Sequence, residues 1–206
     1  DSGALTYTPK LENNDENNVL SIQNTTFTNC FGTNARCFRI HCNHAVEFLN
    51  NTISLNVDQT PSLNGMISLF NQESIVIEDC KFIGNRIFQP QCGGNGLWLN
   101  SGNEGDQLIE IRYIDCYFKD NYNEEEGGGL QQASYRDEKD SLRNCILRIT
   151  SCIFDGNVAK CQGAAIAVST FRPVYIDQCQ FINNHAESTV NSFNGGAIYI
   201  YPCHFD

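Results

Sequence analysis

Eleven cysteines give this 206-residue chain its largest stock of reactive side chains. A thiol can ligate a metal, attack as a thiolate or close a disulfide, and position decides which. His41-Cys42-Asn43-His44, with Cys37 nearby, has the residue types of a metal site but lacks the paired short spacings of a structural zinc centre. Cysteine at this density points to an oxidising compartment. Cys37, Cys42, Cys92, Cys145, Cys161 and Cys203 are the disulfide candidates, in pairings that sequence does not choose among, and an odd total leaves at least one thiol free or bonded outside the chain. Among other groups with chemical potential, Asp79 and Asp115 could form a carboxylate pair of the kind a glycosidase uses, with Lys81 and Tyr117 two positions on. Solvated acidic residues on an exposed face are the simpler account. No nucleophile elbow, HExxH helix, paired CxxC or Gly-Lys-Ser/Thr phosphate loop is present, so no catalytic residue, metal or cofactor is expected. Asn24-Thr25-Thr26 and Asn50-Asn51-Thr52 are N-glycosylation sequons, which makes Asn24 and Asn50 the candidate glycan sites.

What positions these groups is a repeat. Thr25, Asn51, Cys80, Cys116, Cys152 and Cys179 align as one column, and Phe27, Ile53, Phe82, Phe118, Phe154 and Phe181 as the next. A third column reads Cys30, Asn56, Asn85, Asn121, Asn157, Asn184. Ahead of the cysteines stand period-2 apolar pairs, from Leu20/Ile22 through Ile75/Ile77 to Val174/Ile176, the mark of a short strand with one face inward. The units follow one another at 26, 29, 36, 36 and 27 residues, read from the numbers of the first column. Strand patterning at that period predicts a stacked coil. The fold class expected is all-β, a right-handed parallel β-helix of about six to seven rungs over residues 19–206, with 1–18 as an N-terminal lead-in or cap.

In such a coil each column touches itself above and below at about 4.8 Å. Phe27, Phe82, Phe118, Phe154 and Phe181 are therefore expected to stack in the core. Asn56, Asn85, Asn121, Asn157 and Asn184 should form an amide ladder at a turn, where asparagine tolerates left-handed backbone. Cys80, Cys116, Cys152 and Cys179 fall inward beside the phenylalanines and read as small buried apolar groups. The position before them, held by Asn24, Asn50, Asp79, Asp115, Ser151 and Gln178, should face water and present both sequons on one side. Each unit closes with a small-residue run, such as Gly127-Gly128-Gly129-Leu130 or Gly195-Gly196-Ala197-Ile198, whose glycines belong to tight corners. Long connections at 100–107 and 131–144, with the acidic turn Asn123-Glu124-Glu125-Glu126, are expected to form a polar bulge at mid-height, the first place to look for recognition by side chains.

Charge narrows the partners. With 24 acidic against 13 basic residues the formal charge is -11, which argues against nucleic acid and against an anionic membrane surface. No apolar run approaches the length of a spanning helix, so direct membrane insertion is not expected, and no signal peptide is visible. A chain opening on Asp1 reads as a processed protein, an excerpt, or a stacking unit of a longer assembly.

The Phe-x-x-Asn motifs at Phe82/Asn85, Phe118/Asn121, Phe154/Asn157 and Phe181/Asn184, with Gly-Gly-Ala-Ile at 195–198, resemble the FxxN and GGA(I/L/V) repeats of the polymorphic outer membrane protein family, over about residues 19–200. The chain departs from the pattern where the second motif reads GNGL, GGGL and GAAI, and it shows no β-barrel translocator. The resemblance implies a right-handed parallel β-helix outside the cell, with adhesion as its role and no catalytic residues to carry over. The expectation is a non-enzymatic module of the cell surface, reached through the secretory pathway and binding another protein, a glycan or copies of itself. The alternatives are a filament or wall subunit built by end-to-end stacking, and a carbohydrate-active enzyme of the pectate-lyase-like type.

Overall fold

The computed structural model describes residues 5–7, 19–32, 38–41, 45–58, 67–70, 74–88, 97–100, 109–124, 126–132, 145–169, 172–187 and 196–201. Among these residues every strand pairing is parallel, no helix occurs, and the chain coils as a right-handed parallel β-helix. The first face stacks Val19–Gln23, Ala45–Leu49, Ser74–Glu78, Ile109–Ile114, Cys145–Thr150 and Val174–Asp177 in that order. The second stacks Thr26–Thr28, Thr52–Ser54, Lys81–Ile83, Tyr117–Lys119, Ile153–Asp155 and Gln180–Ile182. Two-residue strands, from Phe31–Gly32 to His185–Ala186, make the third. A fourth face is drawn from Leu5–Tyr7, Phe38–His41, Ile67–Phe70 and Leu97–Asn100, and then from Leu130–Gln132, Ile166–Ser169 and Ile198–Tyr201. Leu5–Tyr7, within the expected lead-in, pairs with Phe38–Ile40 and so adds a strand to this face.

Register is what the apolar alternation selects. Val46, Ile75, Ile111, Leu147 and Val174 are successive partners, as are Phe48, Ile77, Tyr113, Ile149 and Ile176. A slip of one residue would turn each of these side chains outward. Phe82 and Phe118 stack with ring centroids 4.7 Å apart and 4° between planes, Phe118 and Phe154 at 4.6 Å and 2°, and Phe154 and Phe181 at 5.2 Å and 6°. Each pair adds about 0.5–1.5 kcal/mol beyond the burial of its area. Phe27 stands apart from this stack, because its partner in the adjoining turn is Ile53.

Two corners join the first three faces, and both use left-handed backbone. Asn24, Asn50, Asp79, Asp115, Ser151 and Gln178 have φ between 51° and 54°. Asn29, Leu55, Gly84, Asp120, Gly156 and Asn183 repeat that conformation at the second corner. This corrects the expectation for the asparagine ladder: the strained position falls one residue before Asn56, Asn85, Asn121, Asn157 and Asn184, which point inward instead. The shift leaves each amide free to bond along the coil axis. Backbone bonding runs through the corners without a break, as in Asp79 N–H to Ile114 O at 3.1 Å and Lys81 N–H to Asn51 O at 2.8 Å.

At the entry to the fourth face, Gly127 and Gly163 take positive φ, while Gly129 is required by proximity. A β-carbon on Gly129 would lie 2.7 Å from Ala165 O and 3.1 Å from Phe154 Cδ1. The run is a corner and a close approach between turns, consistent with a structural use of its glycines.

Candidate functional site

The inward columns leave little unspent chemistry. Asn85, Asn121 and Asn157 are fully buried. Asn85 Nδ2 donates to Asn121 Oδ1 at 3.1 Å and to Ile53 O at 2.9 Å, and Asn121 Nδ2 repeats this with Asn157 Oδ1 and Phe82 O, both at 2.9 Å. Asn157 continues to Asn184 Oδ1 and Phe118 O at 2.9 Å each. Asn56 begins the ladder, donating to Asn85 Oδ1 at 3.0 Å. The oxygens of Asn85, Asn121 and Asn157 also accept the backbone N–H of the preceding asparagine, at 3.0–3.2 Å, and that of Asn56 accepts the Cys30 N–H at 2.8 Å. The amides fix the register of neighbouring turns and have no valence left for a ligand.

The cysteine column does the same work with a thiol. Asn51 caps Ile22 O through Nδ2 at 2.7 Å; in later turns Cys80 Sγ–H reaches Phe48 O at 3.4 Å, Cys116 Sγ–H reaches Ile77 O at 3.3 Å, and Cys179 Sγ–H reaches Ile149 O at 3.5 Å. Cys152 Sγ accepts the Cys116 backbone N–H at 3.4 Å, the role Asn51 Oδ1 plays toward Thr25. Cys30, Cys80, Cys116, Cys152 and Cys179 are free thiols. Burial pushes the Cys80 thiol up to about 11, and raises Cys116 well above the ordinary range and Cys179 above it. The hydrogen bond from Cys116 holds Cys152 lower, so of this pair Cys152 would lose its proton first. Thiols hydrogen-bonded in a dry interior are poor nucleophiles. Of the disulfide candidates, Cys161 is half-buried at the corner after Val158–Ala159; Cys37, Cys42, Cys92, Cys203 and the side chain of Cys145 lie outside the described residues.

Function therefore has to be sought on the outside. Asn24 and Asn50 are exposed at the first corner, and Asn50 Nδ2 donates to Asn24 Oδ1 at 2.8 Å, so the two sequons adjoin. Asp79 and Asp115 occupy the same exposed corner two turns further on, followed on the second face by Lys81 and Tyr117, which are register partners. Tyr117 O–H points to Asp155 Oδ2 at 3.4 Å, across to the following turn. Among the described residues no group of three His, Cys, Asp or Glu side chains is placed to hold a metal ion. Asn100, Gln131 and Gln132, expected in the long connections, belong instead to fourth-face strands; the rest of those connections, and the His41–His44 segment beyond its strand residue, lie outside the described residues. Of the acidic turn, Asn123 is buried and donates to Glu126 O, while Glu124 is paired with Lys160 Nζ at 2.8 Å.

The most organised outward cluster is on the first face and was not anticipated from sequence. Arg112, Arg148 and Tyr175 are successive register partners, so their side chains form one outward column. Glu110 joins them, with Oε1 2.6 Å from Arg148 Nε and Oε2 3.8 Å from Arg112 Nε. The Arg148 guanidinium lies 4.2 Å from the centroid of the Tyr175 ring. The only sequence signal was the shared strand position of residues as different as Val76, Arg112, Arg148 and Tyr175, which becomes a column once register is known.

Comparison with known proteins finds a repeat family similar to part of the chain. Residues 151–169 and 178–201 match the family model described as the Chlamydia polymorphic membrane protein (Chlamydia_PMP) repeat. No curated protein and no solved structure matches the chain. Both matched segments open on a left-handed corner residue, Ser151 or Gln178, and close on the fourth-face strands Ile166–Ser169 and Ile198–Tyr201. They contain the stacked Phe154 and Phe181, the ladder asparagines Asn157 and Asn184, and the small-residue corners. The family's motif thus coincides, over these two segments, with the parts that hold one turn of the coil to the next, and there the chain is similar to the Chlamydia polymorphic membrane protein repeat.

Proposed function

We propose that this chain is a non-enzymatic β-helix module displayed outside the cell, where its outward faces serve adhesion or surface structure. The observation that carries the reading is the placement of the two segments similar to the Chlamydia polymorphic membrane protein repeat: each runs from the first corner through the fourth-face strand of one turn, in a coil whose interior groups are committed to one another. By its description the family is one of membrane proteins, which supports a surface location; delivery through the secretory pathway belongs to the same proposal. A solenoid of this kind offers long flat faces for contact with a protein or glycan partner.

The test uses the folded chain on beads, incubated with host-type cells against the same chain unfolded and alkylated. Saturable binding of the folded protein alone is the expected result. Equal retention of both preparations, or none, would remove the adhesion reading.

Stacking of copies into a filament is the second reading. It is favoured by the repetition of one inward pattern, in which Phe118, Phe154 and Phe181 and the amides of Asn121, Asn157 and Asn184 each fit the turn before. A chain that sediments as a monomer at high concentration excludes it.

A further inference from the structure

Two arginines held side by side on a strongly acidic chain call for an explanation. Arg112 and Arg148 lie in adjoining strands in register, roughly 4.8 Å apart along the stack, where their like charges repel. Glu110 offsets part of that repulsion, with one carboxylate oxygen 2.6 Å from Arg148 Nε and the other 3.8 Å from Arg112 Nε. Among the described residues no partner meets either Nη pair. Both arginines are partly open to solvent, with 45% and 42% of their side chains exposed.

The third member of the column adds an apolar platform. Tyr175 is 46% exposed, and its ring is covered on one side by the Arg148 guanidinium. A twin guanidinium fork beside an open aromatic ring presents two complementary features about one turn apart: planar donors matching a carboxylate, and a flat surface matching the C–H face of a sugar ring. We propose that Arg112, Arg148 and Tyr175 form a binding site for a carboxylate-bearing polysaccharide, with the acid group across the two arginines and a pyranose ring against Tyr175.

A ringless polyanion would use the fork alone, whereas a uronate polymer engages both features, its planar carboxylate matching the planar guanidinium donors and its ring the tyrosine. The overall charge of -11 opposes long-range attraction, so recognition is local and weakens with salt. The assignment rests on the surface-display reading and names the partner class for it.

The experiment measures binding of the intact chain to oligogalacturonate by calorimetry. The methyl-esterified oligomer, which keeps the ring and loses the charge, and inorganic polyphosphate serve as comparators. Binding of the free acid is expected, with loss on esterification. Arg112→Gln and Arg148→Gln should each weaken it about ten-fold or more. Tyr175→Ala should weaken oligogalacturonate and leave polyphosphate unchanged. All three substitutions are outward, so the urea midpoint should stay within error and serves as the folding control.

Equal affinity for the esterified oligomer, unaltered binding in the glutamine variants, or oligogalacturonate affinity unaltered by Tyr175→Ala would each overturn the site. If the Arg112→Gln/Arg148→Gln double variant still adheres to cells, the fork is not the means of adhesion and the surface reading stands. If wild type binds the oligomer but no cell, the fork stands and the adhesion reading goes.

Discussion

The Asn121 amide bridges three turns of the coil, donating back to Phe82 O and forward to Asn157 Oδ1, both at 2.9 Å, while its own oxygen accepts from Asn85. Asn121→Ala removes the bond to Phe82 O and leaves two buried Asn85 donors, the backbone N–H and one Nδ2 N–H, without their acceptor. At roughly 1–3 kcal/mol for each orphaned group, the loss should be about 2–6 kcal/mol. Asn121→Asp keeps the acceptor but cannot donate to Phe82 O, and places a carboxylate in the core, so at neutral pH it should cost at least as much. Urea unfolding measures both; a midpoint near wild type in either variant would show that the ladder does not hold the turns.

Alkaline pH should unfold this protein through its thiols. Cys80 ionises at about 11 in the folded chain against an ordinary value of 9.0, so between those limits the unfolded chain has released a proton that the native state retains. Stability from this group is complete below pH 9 and falls as pH rises toward 11, by about 2–3 kcal/mol for two units of difference. Cys80→Ser keeps a donor toward Phe48 O without an ionisable thiol. The variant should lose less stability than wild type across that interval, as followed by denaturant midpoints; parallel pH profiles would contradict the assignment.

Two glycines in equivalent corners should respond oppositely to alanine. At Gly129 the new β-carbon meets the Ala165 carbonyl at 2.7 Å, and the neighbouring backbone must move. A loss of about 1–3 kcal/mol is expected from such overpacking. At Gly196 the same atom meets nothing within 4 Å, so the change should stay within about 0.5 kcal/mol. Thermal melts of the pair provide the comparison, and equal shifts would rule out close approach as the reason for Gly129.

Glycan attachment at Asn24 and Asn50 is testable by intact mass after expression in a secreting eukaryotic host. Glycosidase treatment should lower the mass of the wild-type protein and leave Asn24→Gln/Asn50→Gln unchanged. Because both asparagines are exposed at a corner, the double substitution should also spare the fold, cutting only the 2.8 Å bond between them. An undiminished mass after glycosidase would remove the sites from consideration.

Much of the core was legible because a stacked coil repeats its inward residues by type. Phe82, Phe118, Phe154 and Phe181 could be aligned before any coordinates, and their rings do overlie one another. The left-handed corner was misplaced by one residue because asparagine has two uses, tolerance of positive φ and amide bonding, and the ladder uses the second. Leu55, at φ 55°, carries no sequence sign of the first. The fork was illegible for a related reason. Outward positions obey no packing rule, so Arg112, Arg148 and Tyr175 share no chemistry by which a reader would group them.

Each turn receives and presents nearly the same pattern: a phenylalanine ring, an amide, a thiol or amide at the neighbouring corner, and parallel backbone edges. A whole unit gained or lost by recombination would therefore find its neighbours already fitted to it, whereas a single residue inserted within a strand would derail every column downstream. The length of the coil can thus be adjusted by copy number alone, while substitution at outward positions leaves the inward columns as they are.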